Sequence, residues 1–152
     1  MRLARTGPKT RLAIAFVVLV FIGMCVLLAR GLSGAGTERS VVLELVRAEA
    51  RGDADAVLGR LPACRREQAC AAVTAERTRA LKRPGRVEIL NYQPSVRVAL
   101  VETTGTARVA WRAGSALPVV QCVRARRKDP LAGGGVELLA ISAPIGREAS
   151  CP

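Results

Sequence analysis

At 152 residues the chain has room for one folded domain and an appendage, and is too short for two ordinary domains. It carries 24 basic against 12 acidic residues, a net charge of +12, and no histidine, so no imidazole is available for a metal site or a proton relay. Half of the residues are apolar but only 3% are aromatic, so the expected core is Val, Leu, Ala and Ile, with few platforms for stacking bases.

Residues 1–11 form a basic tail with Arg2, Arg5, Lys9 and Arg11. Leu12 to Ala29, LAIAFVVLVFIGMCVLLA, is a run of 18 residues without a charge. As a helix it is roughly 27 Å long, close to the thickness of a bilayer's hydrocarbon core. It predicts a transmembrane helix over 12–30. A cleaved signal peptide is the alternative: Ser33-Gly34-Ala35 supplies a small-x-small site, but the apolar run is long for one. Cys25 does not fit a lipidation site, because Met24 stands where a small residue is wanted. The basic tail predicts a cytoplasmic N-terminus and places the rest of the chain outside the cytoplasmic membrane. Residues 31–37, beginning GLSGAG, then read as a flexible tether to an extracytoplasmic α+β domain over 38–152.

Cys64, Cys70, Cys122 and Cys151 lie beyond the apolar run. An even number in an oxidising compartment predicts disulfides, and Cys64 with Cys70 and Cys122 with Cys151 is the favoured pairing among the alternatives. In a continuous helix, residues six apart are about 9 Å apart along the axis, beyond disulfide reach, so the chain must turn inside PACRREQAC. Neither a zinc site nor a redox motif is expected at this spacing, and no cofactor is implied.

Thr37 to Arg51 places Val41, Val42, Leu45, Val46 and Glu49 at helical spacing, with Thr37 or Ser40 as cap and Gly52 as terminator. Asp53 can cap a short helix that ends before Pro62, and a further helix is expected from near Gln68 to Lys82. Past Pro84 the period changes. Arg86–Leu90, Val96–Val101, Ala107–Arg112, Val119–Arg127 and Val136–Ile141 read as strands, separated by turns at Gln93-Pro94, Thr103-Thr104-Gly105, Gly114-Ser115 and Asp129 to Gly135. Helices first and antiparallel strands after predict an α+β fold, with helices packed on a curved antiparallel sheet.

This order, with the helix-GD-helix passage ARGDADAVLGRL, resembles the nuclear-transport-factor-2-like (cystatin-like α+β cone) superfamily over roughly residues 38–144. An anchor followed by such a domain is similar to membrane-anchored exported proteins of actinobacteria. The resemblance implies a cone with a pocket between helix and sheet, a scaffold that hosts isomerases, dehydratases, ligand-binding domains and non-catalytic assembly domains. Enzymatic members use Asp, His or Tyr inside the cone. Here histidine is absent, Tyr92 is the only tyrosine, and capping accounts for Asp53 and Asp55.

Arg124, Arg126, Arg127 and Lys128, in CVRARRK, are the densest basic cluster of the domain and candidate contacts for an anionic lipid, a wall polymer or a protein partner. A solvated strand end that discourages edge aggregation is the alternative. Nucleic acid is not an expected partner of an exported chain with so few aromatics. Trp111 and Tyr92 are candidates either for core filling or for lining a pocket mouth; Glu88 and Glu102 read as solvated strand residues. The expectation is a non-enzymatic, membrane-anchored interaction or ligand-binding domain, with a scaffold role in a membrane complex ahead of small-molecule binding. A cone-pocket isomerase or dehydratase for a small apolar substrate is the alternative. It requires a carboxylate or phenol in the interior within reach of a ligand.

Overall fold

The computed structural model describes residues 8–95, 102–129 and 134–151. It is an α+β fold: α1 (Pro8–Arg51), α2 (Ala54–Arg60), α3 (Pro62–Arg66) and α4 (Gln68–Ala80) precede β1 (Val87–Gln93), β2 (Thr103–Ala113), β3 (Val119–Arg127) and β4 (Val136–Ile141). The strands form one antiparallel sheet in the order β1-β2-β3-β4. The expected strand Val96–Val101 lies outside the described residues.

Helix α1 is one unbroken element of 44 residues. The flexible tether expected over 31–37 is instead helical, and neither Thr37 nor Ser40 starts a new helix. Glycine costs about 1 kcal/mol in a helix interior, which disfavours but does not stop propagation. Proline would stop it, and none occurs between Pro8 and Arg51. The helix ends at Gly52, whose φ of 72° reverses the chain. Gly52 N–H then donates to the Glu49 carbonyl and Asp53 N–H to that of Ala48, satisfying carbonyls the helix leaves open. Asp53 Oδ1 accepts from Ala56 N–H at 3.0 Å and so caps α2 as expected.

Val42, Leu45 and Val46 of α1 are fully buried with Val57 and Leu61 against Val109, Trp111, Val123, Ala125 and Leu138 of the sheet. Burial alternates along β2, with Ala107, Val109, Trp111 and Ala113 inward. Strand β3 is covered on both faces near its start, because the C-terminal tail lies on the outer one. Ile145 N–H donates to the Val120 carbonyl, and Cys122 is bridged to Cys151.

Two sequence expectations shift here. The turn assigned to Thr103-Thr104-Gly105 is the start of β2, paired with Arg127, Arg126 and Ala125. Threonine favours extended backbone. Gly105 serves close approach rather than turning: a Cβ there would lie 2.7 Å from the Ser95 carbonyl oxygen. In β1 the register slips between Ile89 and Asn91. This bulge moves the inward set from Val87 and Ile89 to Tyr92, which strict alternation would have turned outward.

Candidate functional site

Cys64 sits in the middle of α3 and Cys70 in the first turn of α4. The break between them falls at Glu67, whose extended backbone (φ −101°, ψ 110°) supplies the turn the spacing demands. The bridged Cα atoms are 5.2 Å apart, and those of Cys122 and Cys151 are 5.7 Å apart. Both pairs act as staples between elements. Among the described residues, no group of three or more His, Cys, Asp or Glu side chains is placed to hold a metal.

The basic strand end divides by pleat. Arg124 and Lys128 are exposed, and half-buried Arg126 approaches Glu102 at 3.8 Å. Arg127 points the other way and is not the surface contact expected from the sequence: its side chain is 5% exposed and ion-paired with fully buried Glu38. Its Nε donates to Glu38 Oε2 at 2.8 Å, and Nη2 closes the pair at 2.7 Å without hydrogen-bond alignment. Glu38 also accepts from Tyr92 Oη at 2.5 Å, from Ser95 N–H at 2.9 Å and from Ser95 Oγ at 2.8 Å. Burial alone would raise its pKa, but the hydrogen bonds from Ser95, Tyr92 and Arg127 together hold it below the ordinary carboxyl value. Tyr92 is pushed upward by burial and by the carboxylate it donates to.

Trp111 is fully buried, so it fills the core and does not line an open mouth. Its Nε1 donates to Gln121 Oε1 at 2.7 Å, and Gln121 Nε2 donates to Glu49 Oε1 and to the Ser142 carbonyl, both at 3.2 Å. Glu49 is 2% exposed, and its Oε2 has no hydrogen-bond partner. Burial raises its pKa to about 7, opposed in part by Gln121 and by the charge of Arg77. Glu88 and Glu102 each meet a different arginine, Arg112 and Arg126, at exposed positions. They are not brought together.

Three clefts among the described residues bear on these side chains. One of about 310 Å³ lies beside Cys64–Cys70, and one of about 580 Å³ lies over Cys122, Arg124 and Ser142. The largest of the three, about 840 Å³, is walled by Arg47 and Arg51 of α1 and by Lys82, Arg83 and Arg86 of the segment after α4. Glu38 and Glu49 line none of them. Sequence reasoning missed this third cleft because its walls come from segments some thirty residues apart; the run LKRPGR was the available signal. It also missed Glu38, which looks like any charged residue on a helix surface.

No family model, curated protein or solved structure matches this chain, so the functional reading rests on its own residues.

Proposed function

We propose that the chain is a non-enzymatic interaction domain held on the outer face of the cytoplasmic membrane. One observation carries this reading: a single helix is both the apolar segment and the central element of the core. Arg11–Ala29 is long and apolar enough to cross a membrane and none of it is buried. Within the next seventeen residues the same helix packs Val42, Leu45 and Val46 under the sheet. The two bridges fit an oxidising compartment. The order of helices and antiparallel strands supports an NTF2-like cone.

The basic strand end fits a partner near the membrane. Glu38, which ties Arg127 inward, stands about 13 Å along the helix from Ala29. Headgroups take up about 5–7 Å of that height, so Arg126 and Lys128, the neighbours of Arg127, come within a Debye length of anionic lipid, while Arg124 stands about 10 Å further along the strand.

The isomerase or dehydratase reading has Glu49 in its favour, a buried carboxylate with a free oxygen and a pKa of about 7. A general base must meet its substrate. Glu49 lines none of the clefts found among the described residues, and Glu38 engages its oxygens with Tyr92, Ser95 and Arg127.

The test is fractionation of host cells with thiol mass spectrometry and protease treatment of spheroplasts. The full-length chain is expected in carbonate-washed membranes, with two bridges and its domain digestible from outside. Free thiols at Cys64, Cys70, Cys122 and Cys151, or a domain shielded in intact spheroplasts, would overturn the reading.

A further inference from the structure

We infer that the distal cleft walled by Arg47, Arg51, Lys82, Arg83 and Arg86 is a binding site for an acidic peptide segment of a partner protein, one that also carries apolar side chains. The inference rests on the interaction-domain reading and names the chemistry of the partner.

No acidic side chain lines the cleft. Among the described residues, none of its five cations is in an ion pair. Glu44, the acidic residue lining the adjoining groove, is engaged by Arg60 at 2.5 Å. Arg83 Nε is buried with no hydrogen-bond partner. Arg51 is the last residue of α1 and Lys82 follows the end of α4, where cations offset the carbonyl charge. That duty does not account for Arg47, Arg83 or Arg86. Like charges gathered without a counter-charge repel, and an anionic ligand relieves the repulsion while accepting paired guanidinium hydrogen bonds.

Two features select the occupant. Ala50, Pro84 and Val87 supply an apolar floor, which suits a peptide with apolar side chains better than a bare polyanion. Height excludes lipid: Arg51 stands about 33 Å along α1 from Ala29. A helix tilt of about 40° still leaves about 25 Å, well beyond headgroups and a Debye length of about 8 Å.

The test uses the full-length chain in zwitterionic nanodiscs and short fluorescein-labelled peptides that alternate Glu with Leu, Gln with Leu, or Glu with Ser. The Glu–Leu peptide is expected to bind best, to weaken as salt is raised, and to bind roughly tenfold more weakly to R51E/R86E. R51K/R86K should recover part of the loss, and R65A/R66A, at exposed positions of α3 outside the cleft, should bind like the parent. Unchanged binding by R51E/R86E overturns the site. Equal binding of the Glu–Ser peptide, or displacement by polyphosphate as readily as by Glu–Leu, makes it a general polyanion site and overturns the peptide assignment. Competition by anionic lipid added to the nanodiscs overturns the height argument. Failure of all peptides with the chain still anchored and doubly bridged sinks the cleft alone; free thiols or loss from the membrane sink the broader reading.

Discussion

Glu38 and Glu49 lie about three turns apart on α1, and both are buried, yet they respond to protons in opposite ways. Glu38 is surrounded by donors. Its folded pKa lies below the ordinary value, so its contribution is present at neutral pH and lost as pH falls through the folded value. Glu49 keeps its proton in the native state up to about pH 7 while the unfolded chain releases it near 4.5. The native state binds more protons in that window, so stability falls as pH rises from about 4.5 to about 7 and then levels. From these two groups the domain is therefore expected to be most stable near pH 4.5, where the rising limb from Glu38 gives way to the falling limb from Glu49. Thermal unfolding from pH 4 to 8 checks this. Glu49→Gln should raise Tm at pH 8 and leave it nearly unchanged at pH 4.5. Glu38→Gln should cost about 3–5 kcal/mol at neutral pH, because it leaves Arg127 buried without a counter-charge. A parent profile that is flat across this range would refute the assignment.

Among elements, the bridges do different amounts of work because they close loops of different length. Cys64–Cys70 spans 6 residues and Cys122–Cys151 spans 29. Loop entropy predicts a loss of about 2 kcal/mol for C64S/C70S and about 4 kcal/mol for C122S/C151S. Denaturant unfolding measures both, and an inverted order would show that strain or packing outweighs chain entropy. The second loss should be accompanied by loosening, not release, of the tail, because C122S/C151S leaves the Arg108 hydrogen bonds to the Ala149 and Arg147 carbonyls in place. Most of these elements were legible in the sequence. Periodicity marked α4, β3 and β4, and Gly52, Asp53 and Pro62 marked the helix ends. The Leu90 bulge was not legible. A one-residue slip leaves no mark in composition, yet it is what turns Tyr92 toward Glu38.

For the whole molecule, the continuous α1 makes the proposed anchor and the domain one mechanical body. A proline within 31–36 would remove a helical hydrogen bond and clash with the preceding turn. Gly34→Pro is therefore expected to leave the domain's Tm unchanged while adding a fast component to the fluorescence anisotropy decay of Trp111, the only tryptophan, in nanodiscs. Identical decays in the two proteins would show that the segment is not a strut.

The sequence by itself determined the uncharged run, the change from helical to strand period, the candidate staples and the turn inside PACRREQAC. Each is a property of neighbouring residues, and local sterics, solvation and chain geometry decide them. Only the tertiary structure decided which arginine of CVRARRK is buried, which carboxylates share the interior, and that Arg47 and Arg51 meet Lys82, Arg83 and Arg86. Those outcomes depend on strand register and on where α1 stops relative to the sheet, and both are set by packing between segments far apart in the chain.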